Sequence, residues 1–137
     1  ARSNIYGLLT MGAKVTVCGP ANLIPKDIAE LGVEVCYDLD SVIEKVDAIN
    51  ILRIQRERMG IGVVPSTREY RQLFGVNQDR LARLNKELIV LHPGPINRGV
   101  EISSEIADGK NAIILDQVLN GVAIRMSILF LLLGANQ

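Results

Sequence analysis

The sequence predicts an α/β domain built on a parallel sheet. Two observations carry this. Short apolar runs alternate with amphipathic helical segments along the whole chain, the pattern of repeated β-α-β units. The run "DAINILRIQ" (residues 47–55) is apolar on both faces, as expected of a central parallel strand covered by helices.

The elements follow in order. "ARSNIYGLLTMG" has helical spacing, with Ser3 or Asn4 near its start and Gly12 as its stop. "AKVTVCGP" alternates as a strand closed by Gly19-Pro20. "IPKDIAELG" predicts a short helix, with Pro25 near its first turn and Gly32 after it. "VEVCYD" is a second strand, "DLDSVIEKV" a helix, and "DAINILRIQ" the third strand. Residues 56–78 are long and mixed, with one helical piece, "TREYRQLFG". Connections of this length in a compact domain are usually functional or mobile. "NQDRLARLNK" reads as a helix, "ELIVL" as the fourth strand, "SSEIADG" as a short helix, and Asp116 to about Leu133 as the last helix.

Two features point beyond the chain. It opens on a helix with no strand ahead of it, whereas a right-handed crossover needs a strand on each side. A piece of a longer protein is therefore expected. After Gly121 the final helix is apolar on nearly every face, and such a helix is normally buried all round. Another domain, another subunit, or deep insertion into this domain would each cover it.

Composition narrows the function. The 137 residues suffice for one domain with a core. Fifteen basic and fifteen acidic residues cancel, which gives no support to nucleic acid or an anionic membrane as the main partner. Cys18 and Cys36 are too sparse for a disulfide scaffold and lack metal-site spacing. They are expected as two buried apolar thiols in a reducing compartment. No signal peptide is visible. "ILFLLLGA" falls short of the roughly 18 residues of a spanning helix, so the chain reads as soluble and cytoplasmic. "CGPANL" is not a phosphate loop, and no acidic cluster suggests a metal. No cofactor is expected.

In open parallel sheets, ligands bind beyond the carboxyl ends of the strands. Two such ends stand out. In "NILRIQRER", Arg53 and Gln55 are two apart and share a side of an extended chain. The guanidinium can grip a carboxylate through two parallel hydrogen bonds, Gln55 adds a donor and an acceptor, and Glu57 can orient Arg53 from behind. A surface ion pair at a strand end is the other reading of Arg53. In "HPGP", Pro93 and Pro95 donate no backbone hydrogen bond. The Pro93 and Gly94 carbonyls are then acceptors in a rigid corner, suited to a ligand with N–H groups, and Gly94 allows close approach. An ordinary rigid turn is the other reading. His92, the only histidine, has no nucleophile partner in view and is expected to be structural.

Together, "LRIQRER", "HPGPINRGVEI" and "QVLNGVAIRMSILFLLL" resemble the catalytic chain of the aspartate carbamoyltransferase family. The resemblance covers the whole chain but only the second half of the family's usual length. It implies a doubly wound, Rossmann-like parallel sheet with flanking helices, one domain of a normally two-domain chain. Residues 1–137 would be the aspartate-binding domain, with the carbamoyl-phosphate domain absent. The sibling ornithine enzymes typically carry His-Cys-Leu-Pro at the corresponding strand end; His-Pro-Gly-Pro here favours aspartate. By this resemblance Arg53 and Gln55 bind L-aspartate and Glu57 supports them. Pro93, Gly94 and Pro95 contact the carbamoyl group and the attacking amine, with a cis Gly94–Pro95 bond. Residues 56 to about 78 would close over the substrate. The family's phosphate site, catalytic histidine and loop lysine lie upstream, so no catalytic residue is assigned in this chain. Implied partners are L-aspartate, carbamoyl phosphate through the other domain, further copies in a homotrimer, and regulatory or dihydroorotase-like chains.

Overall fold

The computed structural model describes residues 1–54 and 66–134. Within them the elements are α1 (Arg2–Thr10), β1 (Thr16–Cys18), a 3-10 turn (Ile28–Leu31), β2 (Glu34–Cys36), α2 (Leu39–Ile43), β3 (Ala48–Asn50), α3 (Thr67–Phe74), α4 (Gln78–Ala82), β4 (Ile89–Leu91), α5 (Ser104–Ala107) and α6 (Ile114–Gly134). The α/β class and the parallel pairing are those expected from the sequence. The ladders form two parallel pairs, β1 with β2 and β3 with β4. Isolated parallel bridges at Val76–Ile102 and Val90–Ala112 extend the second pair's surroundings.

Local chemistry sets several helix starts. Asp38 accepts the Asp40 N–H at 3.0 Å ahead of α2. Ser66 accepts the Glu69 N–H at 3.2 Å ahead of α3, the Ser-x-x-Glu spacing of a capping box. Asn77 accepts the Arg80 N–H at 2.9 Å ahead of α4. α1 ends as read: Gly12 turns the chain with φ +81°. Its start differs, because Ala1 occupies the cap position without a side-chain bond. "IPKDIAELG" yields only the 3-10 turn, closed by Gly32 with φ +86°.

Two apolar clusters hold the elements. The larger gathers Leu39, Ile43, Ile51, Val76, Leu88, Val90, Ile102, Ile106 and Ile114 around β3 and β4. The smaller packs Ile5, Ile28 and Val33 beside β1 and β2. β3 is less enclosed than a central strand should be: Ala48 is exposed, and full burial resumes at Ile51.

α6 departs furthest from ordinary packing. Ile114 is its only buried residue, and the side chains from Leu115 to Leu133 stand largely open. Counting "ILFLLLGA" alone underestimates it. The helix carrying the first seven residues of that stretch runs Ile114–Gly134, 21 residues, long and apolar enough to cross a membrane by length and composition.

Candidate functional site

Register brings the two predicted strand ends together. β3 and β4 pair in parallel as Ala48–Ile89, Ile49–Val90 and Asn50–Leu91. The Ile51 N–H donates to the Leu91 carbonyl at 2.9 Å, continuing the ladder by one bond. Arg53 is three residues beyond Asn50, and Gly94 three beyond Leu91. The arginine and the proline corner therefore leave the same end of the same strand pair, side by side.

A side-chain network joins them. The Asn97 amide nitrogen donates to the Ile54 carbonyl at 3.1 Å, and its oxygen accepts the Arg53 Nε–H at 3.5 Å. The Asn97 backbone N–H donates to Glu101 Oε1 at 2.6 Å. The same oxygen lies 3.4 Å from His92 Nε2, and both side chains are fully buried. His92 Nδ1 accepts the Gly94 N–H at 2.9 Å, while the His92 N–H donates to Gln117 Oε1 on α6 at 3.0 Å.

This bonding fixes the imidazole's state. A ring nitrogen that accepts a hydrogen bond carries no proton, so neutral His92 holds its proton on Nε2, facing Glu101. Burial pushes the His92 pKa below its ordinary value, against the opposing pull of Glu101. His92 is thus structural, as expected, but more specifically placed: it locks the backbone of the corner. Tyr70 of α3 is half-buried; burial first, and then Glu101, push its phenol up to about 12.

The corner has the anticipated form. The Gly94–Pro95 peptide bond is cis. Gly94 has φ +65°, and a Cβ added there would meet nothing within 4 Å, so open space lies over the corner. Pro93 and Pro95 are exposed and Arg53 is half-buried. Gln55 and Glu57 lie outside the described residues, as do residues 56–65 of the expected closing segment; its later part contains α3. Asn97 and Glu101 were missed by the sequence reading, although both stand in the stretch "HPGPINRGVEI" that carried the resemblance.

Below this site, Arg80 organises the approach to β4. It is 8% exposed. It donates to both Asp40 oxygens, at 2.6 and 3.0 Å, and to the carbonyls of Gly75, Gln72 and Leu73 at 2.5, 3.0 and 3.0 Å. The last three belong to the end of α3, whose unpaired carbonyls it caps.

Parallel strand pairs in an α/β chain mark the doubly wound class, whose members bind ligands beyond the carboxyl ends of their strands. The chain belongs to the aspartate/ornithine carbamoyltransferase family: the family model for the Asp/Orn binding domain matches residues 1–132. Among curated proteins, it is 58% identical over 134 residues to the aspartate carbamoyltransferase catalytic subunit of Halothermothrix orenii, covering 98% of this chain and 43% of that protein. It is 56% identical to the corresponding subunit of Gemmatimonas aurantiaca, covering 98% and 42%. The chain spans less than half the length of these relatives. Among solved structures, ornithine carbamoyltransferase from Pyrococcus furiosus matches its fold with TM-score 0.80 at 22% identity, covering 100% of this chain and 47% of that one. Aspartate transcarbamoylase from Trypanosoma cruzi, in complex with carbamoyl aspartate and phosphate, matches with TM-score 0.67 at 26% identity, covering 85% and 39%.

Proposed function

We propose that this chain is the aspartate-binding half of an aspartate carbamoyltransferase. The whole enzyme transfers a carbamoyl group from carbamoyl phosphate to L-aspartate, giving N-carbamoyl-L-aspartate and phosphate in pyrimidine synthesis. The observation that carries the reading is the β3–β4 register, which brings a guanidinium to the same end of the strand pair as an acceptor-rich, donor-poor corner. An amino dicarboxylate needs both: a cation for a carboxylate, and carbonyl acceptors for N–H groups.

In this reading Arg53 holds an aspartate carboxylate with Gln55 beside it, and Glu57 supports the arginine. The carbonyls of Pro93 and Gly94 accept hydrogen bonds from the attacking amine and the carbamoyl amide, and Pro95 fixes the corner. The amine lone pair adds to the carbamoyl carbon, the phosphate leaves, and the surplus proton departs from nitrogen. Rigid acceptors that need not reorganise favour the developing tetrahedral centre. No cofactor enters this scheme. Carbamoyl phosphate is held by the other domain, the 137 residues alone are catalytically silent, and α6 lies against the remainder of the protein. The relatives' greater length supports these points, since it leaves room for a second domain. A homotrimer and a cytoplasmic location go with the reading.

The test uses the full-length protein. Carbamoyl-aspartate synthesis with aspartate as acceptor, and tight binding of an analogue that joins both substrates, are expected. A preference for another amine would point to a sibling carbamoyltransferase. Failure to bind the analogue would point to a non-catalytic interaction module and overturn the assignment.

A further inference from the structure

The other strand pair brings together two thiols that are 18 residues apart in sequence. Cys18 and Cys36 are direct register partners at the carboxyl ends of β1 and β2. Partners in a parallel pair project to the same face, and neighbouring strands run about 5 Å apart. That spacing falls inside the Cα–Cα range of disulfides, about 4.4–6.8 Å. The thiols are free and half-buried, not enclosed as the sequence suggested.

We propose that Cys18 and Cys36 form an oxidisable dithiol that reacts with hydroperoxides and closes to an intramolecular disulfide. Their surroundings assign the two roles. Cys36 Sγ lies 3.3 Å from the Ser41 hydroxyl and 3.1 Å from the Asp38 carbonyl oxygen. The Cys36 thiol donates to that carbonyl, which opposes ionisation, whereas the Ser41 hydroxyl, the larger influence, holds it below the ordinary range. Burial, then the neighbouring Cys36, push Cys18 up to about 12. Cys36 is therefore the nucleophile and Cys18 the protonated thiol that resolves it.

The chemistry balances. The Cys36 thiolate attacks one peroxide oxygen and the O–O bond breaks. That oxygen stays on sulfur as a sulfenic acid, and the other leaves as water or an alcohol after taking a proton. The Cys18 sulfur then attacks the Cys36 sulfur, the S–O bond breaks, and hydroxide leaves as water with the Cys18 proton. Two thiols give up two electrons and two protons, and the hydroperoxide is reduced by the same two electrons.

The test treats the reduced chain with a small molar excess of hydrogen peroxide and maps its peptides by mass spectrometry. A monomer lighter by two hydrogens, with Cys18 and Cys36 peptides joined and released by dithiothreitol, is expected. Cys18→Ser should stop at a sulfenic acid on Cys36 that dimedone traps. Three results in the unsubstituted chain would each overturn the proposal, whatever the folding of the variant. They are oxygen gained at Cys36 without a cross-link, disulfides only between molecules, and thiols that survive peroxide sufficient to oxidise free cysteine.

Discussion

Arg80 holds Asp40 edge-on, Nε to Oδ1 at 2.6 Å and Nη2 to Oδ2 at 3.0 Å, while its remaining donors cap α3. One planar fork thus serves the start of α2 and the end of α3. Lysine can supply the charge but not the fork. Arg80→Lys should lower stability by about 2–4 kcal/mol, because buried carbonyls lose their donors. Asp40→Asn should cost much less, since Asp40 is half-exposed and water screens the pair. Urea denaturation of both variants measures this, and equal losses would show that the carbonyl contacts contribute little.

In the full-length protein, Arg53→Ala should raise the KM for aspartate far more than that for carbamoyl phosphate. A lost charge-assisted contact in a desolvated site is worth about 2–4 kcal/mol, or roughly 30- to 1,000-fold. Asn97→Ala should move the same parameter less, since it removes only a 3.5 Å contact to the Arg53 Nε and leaves the guanidinium in place. Steady-state kinetics on both substrates checks this. An unchanged aspartate dependence would remove Arg53 from the site.

His92 makes stability depend on pH in a defined direction. Its folded pKa lies below the ordinary 6.5 because of burial. Above the unfolded value its contribution is fully present. As the pH falls through 6.5 toward the folded value, the unfolded chain takes up a proton that the buried ring refuses, and stability is lost. His92 is the only histidine here, so NMR titration of its imidazole in this chain reads the group directly. A midpoint above 6.5 would contradict the assignment.

Two glycines should respond to alanine for different reasons. A Cβ at Gly75 would meet the Arg71 and Val100 carbonyl oxygens at 2.5 and 2.8 Å. Both are backbone atoms, so Gly75→Ala should cost about 1–3 kcal/mol through forced displacement. At Gly94 there is room but φ is +65°, so alanine should cost about 1–2 kcal/mol through backbone conformation alone. Asparagine, which tolerates that region, should cost less at Gly94 and not at Gly75. Thermal unfolding of the four variants separates the two causes.

The sequence exposed this fold through elements whose signals are local. β4 lies within "ELIVL", Gly12 and Gly32 stop what precedes them, and α3 begins at a Ser-x-x-Glu box. The "HPGP" corner was legible because proline chemistry needs no partner to be recognised. Glu101 was not legible. It looks like an ordinary acid between Val100 and Ile102, and its burial against His92 depends on how the chain returns after the corner. The Cys18–Cys36 meeting depends on a strand register that neither segment encodes alone. α6 shows the opposite limit: its periodicity says helix, but its exposure depends on what surrounds it.

The β3–β4 ladder also bears on which genetic changes this site can survive. Leu52 is 42% exposed and precedes Arg53 at the point where the ladder releases the chain. Many side chains should be acceptable there. Deleting the residue is a different event, because side chains in extended backbone alternate faces and a one-place shift reverses them. The arginine would then leave the strand one step early and on the wrong side, with the register behind it intact. Position 52 should tolerate substitution while resisting a three-nucleotide deletion, so a library scored for both would separate the two at this codon.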